Sequence, residues 1–200
     1  MPGGPEHRTP SGGRNIYLQM IGSAPRPPPG IGRISMRVHK DRTGHLSSAV
    51  VARLAEAGGT VAVAESVSGG GLADAITGVP GSSRVFILGV VAYSNDAKVD
   101  VLGCDPAGLE ENGAVSPWTA KAMAESVRRL AGSTWGVATT GVAGPEPLGG
   151  AEPGTVFVTV CREGGDDAAP AEAHLPGDRG EVKAGAVEKA LSMLLESLSK

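Results

Sequence analysis

Two serines stand at a predicted strand-to-helix turn, where their hydroxyl groups are placed to do chemistry. An apolar run at 60–64 is followed by Glu65, Ser66 and Ser68, and a helical pattern comes next. Three glycines fill the turn: Gly69, Gly70 and Gly71. Glycine lets a backbone approach a ligand closely, and a helix start presents free N–H groups to an anion. Either serine can therefore be a nucleophile beside an oxyanion site, or simply a helix cap.

Lys98 is the candidate general base for such a serine. It falls in the first turn of a helix that Ser94 is predicted to cap. The N-terminus of a helix is positive, so an ammonium group is disfavoured there, and partial burial lowers the lysine pKa further, as a lysine base requires. Tyr93, at the end of the preceding apolar run, is placed to cover the same pocket. The alternative is that Lys98 is a solvated surface lysine.

A third cluster of small and hydroxyl-bearing residues follows a later predicted strand. Its candidate ligand contacts are Thr140, Gly141, Gly144 and Pro145. Open α/β sheets bind ligands at the carboxyl ends of their strands, so we expect the three clusters to form one site, although the third alone also fits a simple turn. Arg179, at the start of the last helix, is a candidate phosphate ligand, and Asp178 before it is the expected N-cap.

Alternating strand and helix patterns predict an α/β fold that positions these residues. Helical spacing begins near His45, and strands are predicted at 60–64, 85–93, 135–140, 155–161 and 171–175. The run at 85–93 is apolar almost throughout, which is typical of a central strand. Because helices separate most of the strands and the last two are adjacent, we expect a three-layer α/β/α sandwich around a mixed, largely parallel sheet.

The charge distribution divides the 200 residues into a tail and a domain. Residues 1–43 are rich in Pro and Gly with little apolar periodicity, which predicts a disordered basic tail before a domain at 44–200. The first 45 residues hold seven of the 18 basic residues but two of the 21 acidic ones, so the domain is acidic. An acidic domain disfavours nucleic acid as a partner, and no apolar run is long enough to span a membrane.

The cysteines and histidines bear on compartment and metal binding. Cys104 and Cys161 are far apart and lie in no CxxC motif, which suits a reducing cytoplasm. The four histidines are scattered and form no metal-ligand pattern. We therefore expect a cytoplasmic protein without a metal ion.

Six motifs occur in order along the chain. They are AESVSGGGLADAITGVPGSS at 64–83, GVVAYSNDAKVDVLG at 89–103, NGAVSPWTAKAMAES at 112–126, TTGVAGP at 139–145, GTVFVTV at 154–160 and LPGDRGEVKAGAVEKAL at 175–191. Together they resemble the C-terminal domain of the competence/damage-inducible protein CinA, whose stand-alone versions are nicotinamide-nucleotide amidohydrolases (PncC). The resemblance covers about residues 46–198 and does not include the N-terminal domain of full-length CinA proteins.

The resemblance implies hydrolysis of nicotinamide mononucleotide to nicotinate mononucleotide and ammonia, by a Ser–Lys mechanism with no metal or other cofactor. Ser66 would be the nucleophile and Lys98 would take its proton, while Ser68 stays open as the alternative nucleophile. In the first assignment, Ser68 and the amides of Gly69–Gly71 would polarise the carboxamide oxygen and hold the oxyanion. Tyr93 and the loop at 140–145 would shape the pocket. The expected partners are a small nucleotide substrate and further copies of the chain in a homo-oligomer.

Two departures from the family pattern keep a second interpretation open. The family usually has Cys-Thr or Cys-Ser after Ala-Glu-Ser, whereas this chain has Val67 and Ser68, which retains the hydroxyl. Glu152 stands where the family usually has a lysine, in a shortened loop, so an anion replaces a cation near an anionic nucleotide. The alternative is a catalytically inactive nucleotide-binding or competence/damage-related interaction module. Retention of both Ser66 and Lys98 favours the enzyme.

Overall fold

The computed structural model describes residues 31–165 and 169–199, and within 31–40 it describes the side chain of His39 alone. The helices of this part of the chain are α1 (Ile31–Glu56), α2 (Gly71–Thr77), α3 (Asn95–Asp100), α4 (Pro106–Asn112), α5 (Pro117–Ala131) and α6 (Arg179–Ser197). The strands are β1 (Val61–Glu65), β2 (Phe86–Val91), β3 (Trp135–Gly141), β4 (Thr155–Arg162) and β5 (Ala171–His174). A 3-10 turn at Ser82–Arg84 precedes β2.

The five strands form one mixed sheet in the order β2-β1-β3-β4-β5. The strand β1 runs parallel to both β2 and β3, while β4 is antiparallel to β3 and to β5. The carboxyl ends of β1, β2 and β3 therefore lie at one edge of the sheet, where the predicted site residues follow them. The expected α/β fold with a mixed sheet flanked by helices is confirmed.

The sheet separates two apolar cores, because alternate residues of a strand face opposite sides. Val61 and Val63 of β1 pack into a core with residues of α1, α2 and α6. Ala62 and Ala64, at the alternate positions, pack into a second core with residues of α4 and α5. Ala97 of α3 packs against this second core. We call these two sides the α2 face and the α5 face of the sheet.

The strand β2 lies at the edge of the sheet, so the prediction of a central strand at 85–93 was wrong. Among the described residues β2 pairs with β1 alone, and its positions alternate between half-buried and exposed. In β1 and β3, which are interior, nearly every position is buried. An uninterrupted apolar run does not by itself distinguish an interior strand from an edge strand whose free side is covered by another surface.

The helix α1 begins at Ile31, within the segment that was predicted to be a disordered tail up to residue 43. Nδ1 of His39 lies 2.6 Å from Oε1 of Glu188 on α6, and Nε of Arg42 lies 3.5 Å from its Oε2. These contacts join the N-terminal part of α1 to α6. This part of the sequence has little apolar periodicity, which is why composition did not reveal the helix. Residues 1–30 of the predicted tail lie outside the described residues.

Helix caps in the described chain agree with the sequence. Ser94, Ser116 and Asp178 each accept a hydrogen bond from a backbone N–H in the first turn of α3, α5 and α6. Asp178 forms a full capping box with Glu181. Within the described ranges, no helix has the length and apolarity that crossing a membrane requires.

Candidate active site

The carboxylate of Glu65 occupies the N-terminus of α2. It is fully buried, and it accepts hydrogen bonds from the backbone N–H groups of Gly70 (2.9 Å), Leu72 (3.0 Å) and Ala73 (2.8 Å). The N-cap residue, Gly70, has φ 95° and no side chain with which to cap the helix, so the last residue of β1 supplies the acceptor instead. A carboxylate is favoured here because these N–H groups have no partner within the helix and the helix end is positive.

Ser68 belongs to the same buried network. Its Oγ donates to Oε2 of Glu65 at 2.7 Å and lies 2.6 Å from Oγ1 of Thr139, and its side chain is 1% exposed. Ser68 and the Gly70 amide were expected to face a bound carboxamide, but in the structure both donate hydrogen bonds to Glu65. The sequence shows that Glu65 precedes the glycines, but it does not show that the Glu65 carboxylate bonds to the start of α2, because that contact depends on how β1 and α2 pack.

Ser66 lies in a different environment from Ser68. Its backbone N–H donates to the carbonyl of Thr139 at 2.9 Å, which continues the β1–β3 pairing by one residue. Because Ala62 and Ala64 face the α5 side, the alternation carries Ser66 to the α5 face, opposite Glu65. No hydrogen bond of its Oγ occurs within the described ranges, and neither the N–H of Val67 nor that of Gly69 has an acceptor there.

Lys98 is buried on the α5 face, more deeply than the sequence predicted. Lys98 is 1% exposed, and it is the buried residue of the six-residue helix α3. Burial lowers the pKa of the Lys98 amine, and the nearby Cys104 thiol opposes this shift. Burial also raises the pKa of that thiol, so burial disfavours the charged form of both groups. Among the described residues, Lys98 has no ion pair with a carboxylate.

Thr139 pairs with Glu65 across the parallel strands β3 and β1, so these two residues face the same side of the sheet. Thr140, the next residue on β3, faces the opposite side, as Ser66 does. Its Oγ1 donates to the carbonyl oxygen of Ala114 at 2.7 Å, which ties the end of β3 to the segment before α5. Gly141 has a packing role, because a Cβ there would lie 2.5 Å from the Thr155 carbonyl oxygen. The two predicted contacts thus shape the end of β3 in different ways.

Arg179 joins two of the other predicted segments. Its Nη2 donates to the hydroxyl of Tyr93 at 2.6 Å, and its Nη1 donates to the carbonyl oxygen of Gly144 at 2.9 Å. The peptide bond between Gly144 and Pro145 is cis, and Gly144 has φ 80°. The end of β2, the β3–β4 loop and the start of α6 therefore meet around one guanidinium group.

A cavity of about 570 Å³ lies on the other side of the sheet, among α1, α2 and α6. Its polar lining includes His39, Ser47, Asp74 and Lys183. It reaches Ser68 and Gly69, but Ser66 and Lys98 do not line it. The carboxyl-edge cluster and this cavity are thus separate features. Within 31–165 and 169–199, no three His, Cys, Asp or Glu side chains are grouped so as to hold a metal ion.

Fold and site together define an α/β domain in which polar side chains from β1, α3 and β3 gather at the carboxyl edge of a mixed sheet. The model of the CinA C-terminal domain family matches residues 43–198. The chain belongs to the CinA C-terminal domain family.

Curated relatives agree with this assignment over part of their length. A CinA-like protein of Frankia casuarinae is 42% identical over 154 residues, which are 77% of this chain and 35% of the relative. A CinA-like protein of Desulfosudis oleivorans is 56% identical over 108 residues, which are 54% of this chain and 25% of the relative. The chain therefore spans about a quarter to a third of the length of these two curated relatives.

Solved structures of similar chains cover the domain more fully. The competence damage-inducible protein A (ComA) from Klebsiella pneumoniae superposes with a TM-score of 0.76 at 32% identity, over 78% of this chain and 97% of that one. The competence/damage inducible protein CihA from Agrobacterium tumefaciens gives a TM-score of 0.75 at 33% identity, over 80% and 96%. The fold of the described domain is thus the fold of its family.

Proposed function

We propose that the chain is a nicotinamide-nucleotide amidohydrolase, which converts nicotinamide mononucleotide and water to nicotinate mononucleotide and ammonia. The observation that carries the proposal is the burial of Lys98 without a carboxylate partner, on the face of the sheet to which Ser66 is directed. A buried lysine without a counterion gives up its proton readily. The neutral amine is then able to take the proton of a serine hydroxyl.

The reaction proceeds through a covalent intermediate on Ser66. Its Oγ attacks the carboxamide carbon while the Lys98 amine takes the hydroxyl proton. The C–N bond then breaks, and Lys98 returns that proton to the departing nitrogen, which leaves as ammonia. Water, deprotonated in turn by Lys98, attacks the resulting ester. The ester C–O bond then breaks, and Lys98 returns the proton to Oγ of Ser66 as the carboxylate leaves.

The oxyanion of each tetrahedral intermediate needs donors close to Ser66. The N–H groups of Gly70, Leu72 and Ala73 are already bonded to Glu65. The N–H groups of Val67, the next residue after Ser66, and of Gly69, three residues after it, have no acceptor among the described residues. We assign the oxyanion to these two donors in place of Ser68 and the Gly70 amide.

The remaining site residues suit the nucleotide part of the substrate. Arg179 carries a positive charge at the mouth of the site, where its hydrogen bonds to Tyr93 and Gly144 fix its direction. A guanidinium group recognises phosphate oxygens in bidentate fashion. Arg179 would therefore hold the 5′-phosphate, with the ring of Tyr93 and the cis Gly144–Pro145 turn as walls.

The test measures ammonia and nicotinate mononucleotide released from nicotinamide mononucleotide by the purified protein. We expect the two products in equal amounts, their loss in the Ser66→Ala variant, and wild-type rates in a Ser48→Ala control. Ser48 is an exposed serine of α1 whose hydroxyl donates to the Gly44 carbonyl oxygen. It lines the cavity on the opposite face of the sheet from Ser66. A wild-type protein that binds the nucleotide by calorimetry but releases no ammonia would favour the inactive binding module instead.

A further inference from the structure

The edge strand β2 has an exceptionally apolar sequence for its position. Residues 85–93 read VFILGVVAY and include no charged residue and no proline. Ile87, Val91 and Tyr93 are 49%, 50% and 61% exposed. Natural edge strands are usually protected by charges, prolines or bulges, because their free N–H and C=O groups otherwise pair with another strand. A strand of this composition is therefore expected to have a partner.

One protective feature is present, and it lies at the start of the strand. The register with β1 shifts at Ile87, between the pairs Val61–Phe86 and Ala62–Leu88. From Leu88 to Val91 the pairing with β1 is regular. This regular, uncharged stretch leaves its outward-facing backbone groups without a partner in the described chain, and it is the part best suited to extend the sheet.

The charges that flank β2 favour a second copy of the same chain as that partner. Arg84 precedes the strand, Asp96 follows it, and both are exposed. Neither forms an ion pair within the described residues. When a strand pairs antiparallel with its own copy, the start of each faces the end of the other. Arg84 of each copy then approaches Asp96 of the other copy, and the twofold axis relates these two contacts.

We propose that β2 pairs antiparallel with β2 of a second copy, over Leu88–Val91, so that the two five-stranded sheets become one continuous sheet. Such an interface is isologous, and self-complementary contact is the commonest way to close a homodimer. The exposed apolar surface of β2 comes from Ile87 and Val91, and it is small beside the about 800 Å² per partner of a standard stable interface. We therefore expect a reversible dimer whose population depends on concentration.

The first measurement is the mass of the full chain in solution, by light scattering after gel filtration and by sedimentation equilibrium, from about 1 µM to about 1 mM. We expect the mass to rise from that of the 20.0 kDa monomer towards twice that value. The variant Val91→Lys should remain monomeric throughout. The control Leu130→Lys replaces another exposed apolar residue, 55% exposed in the last turn of α5, and should dimerise like wild type.

Amide hydrogen exchange of the unaltered protein locates the interface without any variant. The outward-facing amides of 88–91 should be protected at high concentration and exchange faster on dilution. A wild-type chain that stays monomeric over the whole range would overturn the proposal. So would a dimer whose 88–91 amides exchange at the same rate at all concentrations, or one that Leu130→Lys disrupts and a folded Val91→Lys does not.

Discussion

Oγ of Ser68 lies 2.7 Å from Oε2 of Glu65, and this hydrogen bond assigns the two serines of the turn to different tasks. Ser68 completes a buried network that caps α2, whereas Ser66 continues β1 towards the opposite face, where Lys98 is buried. The Ser68→Ala variant should lose about 1–2 kcal/mol of unfolding free energy, because one donor to a buried carboxylate is removed. It should still hydrolyse the substrate.

Urea denaturation and ammonia release, measured on the same preparation, check both parts of this prediction. Ser66→Ala is the matched control, since its side chain bonds to nothing among the described residues and its loss should leave stability nearly unchanged. If Ser68→Ala were fully stable yet inactive, Ser68 would have a chemical role that the network does not explain.

Lys98 is predicted to make activity depend on pH. Its pKa lies below that of a free lysine because of burial, and the base must be unprotonated, so kcat should rise with pH through that lowered pKa. Lys98→Arg should be inactive at every pH, because a guanidinium group stays protonated. Lys98→Met should also be inactive while remaining folded. Retained turnover in a folded Lys98→Arg protein would remove Lys98 as the base.

Lys98 should also affect stability, with a definite sign. Between the lowered pKa of the folded protein and the ordinary value of 10.5, the unfolded chain binds the extra proton. The unfolding free energy contributed by this residue therefore increases with pH across that window. Lys98→Met lacks this slope and should be at least as stable as wild type at pH 7. Denaturation series at several pH values give the comparison.

The contact between Arg179 and Tyr93 is predicted to act on substrate binding. Arg179→Lys cannot reach both the Tyr93 hydroxyl and the Gly144 carbonyl oxygen, because an ammonium group lacks the planar fork. We expect a several-fold to roughly tenfold increase in KM with a smaller change in kcat, and a weaker effect of the same kind in Tyr93→Phe. Arg53→Lys, which alters an exposed arginine of α1, serves as the control. A fall in kcat at unchanged KM would place the contact in the chemical step.

Thr159 has a buried hydroxyl that finds no hydrogen-bond partner within residues 31–165 and 169–199. Thr159→Val keeps the shape and removes the unsatisfied group, so it should raise the unfolding free energy by about 1 kcal/mol. The matched substitution Thr119→Val removes a hydroxyl that donates to the Gly113 carbonyl oxygen at 2.6 Å, and it should lower the free energy by a similar amount. Equal destabilisation of the two variants would show that Thr159 is satisfied after all.

Local patterns in the sequence were sufficient for most elements of the domain and for the edge of the sheet at which the site lies. Ser94 and Asp178 were correctly predicted to cap helices, because a cap acts within one turn of the chain. The position of the three clusters that follow β1, β2 and β3 was predicted from the rule that ligand sites gather at the carboxyl ends of strands. The contact of Arg179 with Tyr93 was not predicted, because Arg179 begins a helix far along the chain.

The features that the sequence did not predict depend on contacts between distant elements. Glu65 caps α2 because the end of β1 lies against the N-terminus of that helix. No local sequence pattern predicts this packing. The edge position of β2 is a matter of which strands pair, and an apolar run is compatible with either position. The N-terminal part of α1 contacts α6 through His39 and Arg42, which lie beside Glu188, about 150 residues away in the sequence.

The central claim is that Ser66 carries the substrate as an ester. The most direct measurement is acid quenching during turnover of nicotinamide mononucleotide, followed by mass spectrometry of the digested protein. We expect the mass of the nicotinate mononucleotide acyl group on the peptide that contains Ser66, with fragmentation placing it on that serine, and its absence in Ser66→Ala. An adduct on Ser68, or rapid ammonia release without any adduct under conditions in which deacylation is slowed, would contradict the account.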